Sequence, residues 1–184
     1  MSDDLIYKQH KHNPPHLFIP KAKYFITAST YQKKPFLSSH ESKSRLLESI
    51  IKGCDKSNWL LEDWVILDNH YHLMLQAPEE DPDLSKMISE IHRFTALWIK
   101  KNALEAKSAK RIFWNYWDRC ITHERSYFAR LNYIYFNPVK HGYVPNPEDY
   151  PHGSYYYRIK TEEERLKKLQ QDYPWGRVNV NDDF

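Results

Sequence analysis

The chain has 184 residues, which is enough for one domain with a substantial hydrophobic core. Its formal net charge of +3 and sequence pI of about 8.7 neither require nor exclude a nucleic-acid partner. No apolar run reaches the roughly 18 residues that a membrane span needs, and the first residues do not resemble a signal peptide. We therefore expect a soluble, cytoplasmic protein without a membrane partner.

Hydrophobic periodicity predicts a central domain at 21–157, an N-terminal arm at 1–20, and a C-terminal helix with a polar tail at 158–184. Pro14, Pro15 and Pro20 disfavour regular structure in the arm. Within the domain we expect strands at 22–31, 60–67, 71–76 and 112–121, and helices at 38–57, 83–101 and 126–136. This order is typical of an α+β fold with helices packed on an antiparallel sheet.

A histidine pair, His70 and His72, lies at the start of the third predicted strand. Residues two apart on a strand point to the same face, so both imidazoles can reach one metal ion while Tyr71, Leu73 and Leu75 face the other way. With ten histidines in the chain, this spacing also arises by chance. Its position on a strand with an apolar opposite face is what favours a ligand pair.

The last helix of the predicted domain carries two polar side chains on one face. Tyr133 and Asn137 are one helical turn apart, and both lie away from the apolar stripe that contains Leu131 and Ile134. Core packing does not explain a phenol there. The helix is expected to end before Pro138, because a proline disfavours the helical conformation of the residue before it.

Together these segments resemble the single-tyrosine HUH transposases, and within them the REP-associated tyrosine transposases, from about residue 22 to residue 155. The resemblance is carried by four segments: Tyr24-Phe25-Ile26-Thr27, Asn69-His70-Tyr71-His72-Leu73, Ile112-Phe113-Trp114 with Trp117-Asp118, and the stretch from Tyr133 through Asn137-Pro138-Val139-Lys140 to Gly142. It implies a ferredoxin-like antiparallel sheet with helices packed on it, the HUH nuclease core.

The resemblance also implies roles for individual residues. His70 and His72 match the metal ligands, Tyr133 matches the nucleophile, and Asn137 matches the amide that helps to complete the metal site. The position of Tyr135 is more often a histidine in the REP-associated group, so the sequence departs from the family pattern there.

The implied activity is cleavage and rejoining of hairpin-forming, REP-like single-stranded DNA through a 5′-phosphotyrosine, with Mg²⁺ or Mn²⁺ as cofactor. The resemblance to the REP-associated group favours a monomer whose tyrosine serves its own histidine pair. Basic side chains near these segments are candidate contacts to DNA phosphates. They are Lys33, Lys34, Lys86, Arg93 and Lys140.

Two other hypotheses stay open on the sequence. A ferredoxin-like sheet with exposed aromatic side chains can bind single-stranded nucleic acid by stacking, without catalysis. A zinc hydrolase could combine His70 and His72 with a carboxylate such as Asp68 or Glu62 and use water as the nucleophile. Binding unaffected by a chelator would favour the first hypothesis, and cleavage that survives Tyr133→Phe would favour the second.

Overall fold

The computed structural model describes residues 7–10, 13–80 and 83–177. The elements of this part of the chain are β1 (Tyr7–His10), β2 (Asn13–Leu17), β3 (Lys23–Thr30), α1 (His40–Lys56), β4 (Leu60–Ile66), β5 (His70–Gln76), α2 (Leu84–Asn102), β6 (Phe113–Ile121), α3 (Glu124–Lys140) and α4 (Ser154–Asp172). None of the described helices is long and apolar enough to cross a lipid bilayer.

Four of the strands form one antiparallel sheet in the order β4-β5-β3-β6. The two inner strands, β5 and β3, are hydrogen-bonded on both sides, and β6 and β4 are the edges. The order and the intervening helices α1 and α2 give the ferredoxin-like arrangement, so the predicted fold class is confirmed.

The two faces of the sheet pack against different helices, and each has its own apolar core. On one face, Tyr71, Leu73 and Leu75 of β5 pack with residues of α1 and α2. On the other face, Met74 of β5 and Phe25 of β3 pack with residues of α3 and α4. The alternation along β5 therefore places Tyr71 away from the His70 and His72 face, as its sequence predicts.

Helix α3 continues beyond the end that was expected for it. It runs through Pro138 to Lys140. A proline so near the end removes only one backbone hydrogen bond of the helix, and two amides beyond the helix bind its last carbonyls. The amides of Gly142 and Tyr143 donate to the carbonyls of Val139 (3.0 Å) and Pro138 (2.9 Å). Together with the φ of +72° at Gly142, this is a Schellman motif.

The expectation of an irregular N-terminal arm is wrong for part of its length, because β1 and β2 pair antiparallel. Pro14 and Pro15 lie in β2, where one side of the two-stranded ribbon has no ladder partners and the pairing with β1 is irregular between Lys8 and His10. The predicted C-terminal helix exists but begins earlier than residue 158, at Ser154. The predicted tail beyond residue 177 and residues 1–6 of the arm lie outside the described residues.

Candidate active site

The histidine pair lies on the central strand β5, on the face that α3 covers. Thr27 and Ser29 of β3 stand opposite His72 and His70 in register, and the two imidazole centroids are 5.3 Å apart. His72 is fully buried, and Phe25 stacks on it at 5.3 Å with nearly parallel rings. The backbone of an inner strand therefore sets the spacing of the two rings.

Hydrogen bonds orient both imidazoles. His72 Nδ1 is 2.9 Å from Thr27 Oγ1, and His70 Nδ1 is 2.7 Å from Asn69 Oδ1. If each Nδ1–H donates to its oxygen, both rings adopt the tautomer in which Nε2 carries the lone pair. Ligating histidines in metalloproteins are commonly held in this way by a second hydrogen bond.

Asn137 brings an oxygen to the pair from α3. Its Oδ1 is 3.2 Å from His70 Nε2, and its Nδ2 is buried with no hydrogen-bond partner among the described residues. In the tautomer above, two lone pairs face each other across 3.2 Å, an arrangement that a shared cation stabilises. The donor set of two imidazoles and an amide oxygen thus fits a divalent metal ion.

The third ligand of such a set would have to be this amide. Within the described ranges, no group of three or more His, Cys, Asp or Glu side chains is arranged to hold a metal ion. The carboxylates of the hydrolase hypothesis pair elsewhere: Asp68 with Lys43 at 2.6 Å, and Glu62 with Lys23. His141 packs edge-on against His70, with 4.8 Å between ring centroids.

Tyr133 contacts His72 of its own chain. Its ring lies 5.3 Å from His72 and 6.2 Å from Phe25, edge-on to both. Sequence periodicity had placed Tyr133 off the core, but it is only 2% exposed, because α3 is enclosed between the sheet and α4. Its face of the helix is the one that meets the histidines.

Lys140 reaches the Tyr133 hydroxyl from two turns further along α3. Its Nζ donates to the phenol oxygen at 2.8 Å and lies 4.6 Å from the centroid of the ring. A cationic donor stabilises negative charge on the oxygen that it contacts. The sequence had suggested Lys140 as a DNA contact, and this closer position was missed because the helix was expected to stop before Pro138.

The other predicted basic contacts lie in two places. Lys33 and Lys34 follow β3, and the Lys33 carbonyl accepts a hydrogen bond from Asn69 Nδ2 at 3.3 Å, which holds this turn beside His70. Lys86 and Arg93 are exposed on α2, on the opposite side of the sheet. The structure therefore groups His70, His72, Tyr133, Asn137 and Lys140, with Lys33 and Lys34 nearby.

Tyr135, the departure from the family pattern, points away from this group. Its hydroxyl donates to the buried Asp63 carboxylate at 3.0 Å, on the side of α3 that faces β4 and α4. Ser154 and Arg158 donate to the same carboxylate oxygen, at 2.8 and 2.7 Å. Tyr135 is therefore part of the packing between helices and sheet.

The model of the family "Transposase IS200 like" matches residues 19–134, well over half of the chain. The chain belongs to this family. The matched region includes the histidine pair and Tyr133 and ends before Asn137 and Lys140. Members of this transposase family are enzymes that act on DNA, which agrees with a site built from two imidazoles and a phenol.

Individual relatives belong to a narrower group of transposases. A REP-associated tyrosine transposase of Escherichia coli K12 is 29% identical over 140 residues, which are 76% of this chain and 79% of that one. A Haemophilus influenzae protein, provisionally given the same name, is 34% identical over 53% of this chain and 59% of its own length. A solved REP-associated tyrosine transposase bound to a REP hairpin is similar over all of this chain and 95% of that one, with 25% identity and a TM-score of 0.63.

Proposed function

We propose that this chain cleaves and rejoins single-stranded DNA that carries a REP-like hairpin, with Tyr133 as the nucleophile. The observation that carries the proposal is the contact of Tyr133 with His72, 5.3 Å between rings, within one chain. The hairpin substrate is supported by the similar structure bound to a REP hairpin. The relatives from E. coli and H. influenzae support the same assignment.

In the proposed reaction, the phenolate oxygen of Tyr133 attacks the phosphorus of the scissile phosphodiester. The bond between phosphorus and the 3′ oxygen breaks, which leaves a 5′-phosphotyrosine and a free 3′ hydroxyl. Attack by a 3′ hydroxyl reverses the step and restores the phenol, so the strand is rejoined without an external energy source. Lys140 supports the first step, because its ammonium donates to the oxygen that becomes negatively charged.

His70, His72 and Asn137 would hold the divalent cation, Mg²⁺ or Mn²⁺. When bound, it would act as a Lewis acid that polarises the scissile phosphate. The chain itself provides the orientation: Thr27 and Asn69 hold the imidazoles, and α3 presents Asn137 to His70 at 3.2 Å. Because all these residues come from one chain, we propose a monomeric enzyme that acts in cis.

The test is covalent capture. The protein is incubated with end-labelled hairpin oligonucleotides from its own genome and Mn²⁺, and protein-linked DNA is then sought on a denaturing gel. We expect an adduct with the wild type and none with Tyr133→Phe or with His70→Ala. Tyr127→Phe is a matched control, because this tyrosine lies on the same helix and contacts Glu62.

Two results would contradict the proposal in different ways. Binding of the hairpin without an adduct under any metal would favour the non-catalytic binding module. Cleavage that persists in Tyr133→Phe would indicate that water is the nucleophile and would favour the hydrolase hypothesis.

A further inference from the structure

Two arginines lie beside the proposed active site and take no part in the chemistry described above. Arg119 is on the edge strand β6, opposite Phe25 of β3, which itself stands opposite Met74 of β5. Directly opposed residues of neighbouring strands share a face. Arg119 is therefore on the same face as His72, whose ring stacks on Phe25, and its side chain is exposed at the open edge of the sheet.

Arg130 reaches the same place from α3. It lies three residues before Tyr133, on the same side of the helix, and its guanidinium is 6.0 Å from the centroid of the Phe25 ring. Only 8% of the residue is exposed. Its Nη1 donates to the carbonyl and hydroxyl of Ser126, but its Nε is buried with no hydrogen-bond partner among the described residues.

The two guanidinium groups influence each other electrostatically. Burial is the larger cause that lowers the pKa of Arg130, and the positive charge of Arg119 is the second. In the part of the chain that the structure describes, neither arginine forms an ion pair with a carboxylate. A buried cation beside a second cation, with neither paired to a carboxylate, is unfavourable until an anion arrives.

The chemistry of this pair fits a phosphate. A guanidinium presents parallel N–H donors that match two oxygens of one phosphate group, and two arginines together can neutralise it. Neighbouring strands are about 4.8 Å apart, so the backbone of Arg119 lies about 10 Å from β5, across β3. An anion bound there would lie along the sheet surface from the histidine pair, at the edge that helices leave open.

We propose that Arg119 and Arg130 form a second phosphate subsite. It binds a backbone phosphate of the single-stranded DNA that flanks the scissile phosphate. This subsite rests on the proposed function, since it assigns a path to the DNA that Tyr133 attacks. The strand would run from Tyr133 past Phe25 to the β6 edge. Its binding there would position the scissile phosphate without a contact to any base.

The first test is the salt dependence of binding to a hairpin oligonucleotide with a single-stranded extension, measured with a chelator present so that binding is separated from cleavage. For single strands, each phosphate contact contributes about 0.7 to the slope of log affinity against log salt. We expect the double variant Arg119→Gln/Arg130→Gln to lose about 0.7 of that slope. We also expect it to bind roughly 10-fold more weakly.

Two further variants separate loss of binding from loss of folding. Arg119→Gln changes an exposed side chain and should by itself reduce the slope. Arg45→Gln removes the same charge from α1, on the opposite face of the sheet, where Arg45 pairs with Glu48, and should leave the slope unchanged. Thermal unfolding of each variant checks that Arg130→Gln still folds.

The second test locates the phosphate. Neutral methylphosphonates replace the phosphates of the single strand one at a time. We expect one position, distinct from the scissile phosphate, at which the replacement weakens binding by the wild type but not by the double variant. If the double variant has the same salt slope as the wild type, or if no such position is found, the subsite is wrong even when Tyr133 forms an adduct. If the wild type forms no adduct although the double variant loses salt slope as expected, the proposed function is wrong instead.

Discussion

The hydrogen bond from Lys140 to the Tyr133 hydroxyl gives the proposed nucleophile a cationic neighbour. We predict that Lys140→Met lowers the initial rate of adduct formation roughly 10- to 100-fold at neutral pH, because a charge-assisted hydrogen bond to the phenolate is lost. Initial rates of covalent capture with Mn²⁺ at neutral pH test this.

Lys140→Arg is the matched variant, because it keeps the charge and should keep most of the rate. A loss of hairpin binding by Lys140→Met that accounts for its whole loss of rate would mean that Lys140 only contacts DNA. A rate equal to the wild type at neutral pH would exclude any role in activating Tyr133.

Single residues of the site differ in how far the sequence could predict them. The pairing of His70 with His72 follows from strand periodicity, and that of Tyr133 with Asn137 from helix periodicity. Thr27 and Arg119 could not be found in this way, because their positions depend on strand register across the sheet, which no local pattern specifies. The roles assigned to His70, His72, Tyr133 and Asn137 stay predictions until adduct formation is measured.

At the scale of elements, the buried carboxylate of Asp63 joins β4 to α4. It accepts hydrogen bonds from Tyr135, Ser154 and Arg158. Burial is the largest cause that raises the pKa of Asp63, and the charge of Arg158 is the largest that opposes it. The ion pair therefore stabilises α4 against the sheet and supports α3 from behind the proposed site.

We predict that Arg158→Met lowers the free energy of unfolding by roughly 3 kcal/mol at pH 7, because it leaves a buried carboxylate without its cation. Without Arg158, the pKa of Asp63 should rise further, and a group whose folded-state pKa is raised stabilises the fold only at low pH. The loss should therefore shrink as the pH falls below 7 and Asp63 takes up a proton. Urea unfolding at pH 7 and at lower pH measures it.

Arg165→Met serves as the control, since this side chain is 68% exposed and pairs with Glu162 on the helix surface. It should change stability by less than about 1 kcal/mol. An Arg158→Met loss no larger than that of Arg165→Met, or one that grows at lower pH, would contradict the assignment.

Elements were predicted well where periodicity is regular, as in α1, α2 and β5, and poorly where tertiary contacts decide. Helix α3 passes Pro138 because the Schellman motif at Gly142 completes its C-terminus. The β1–β2 ribbon forms despite its prolines, through pairing between segments. Local propensity is only a weak guide in both places.

At the scale of the whole molecule, the histidines and the tyrosine of one site belong to one chain. We predict that mixing Tyr133→Phe protein with His72→Ala protein restores no adduct, because neither chain carries a complete site. Covalent capture from the mixture, with each variant alone as control, measures this. Adduct formation by the mixture would instead mean that two chains exchange α3, and the proposed monomer would be wrong.

The two components of the proposed site are attached to the fold in different ways. The histidines sit on β5, whose backbone is hydrogen-bonded to a strand on each side, whereas Tyr133 sits on a helix that contacts the sheet through side chains. A packed helix can slide against a sheet without breaking backbone hydrogen bonds, whereas an inner strand cannot move without breaking those to both neighbours. In the proposed reaction, DNA joined to Tyr133 would therefore be tethered to the element that can shift: tension on that strand would be borne by α3, while the spacing of the two imidazoles would be preserved for resealing.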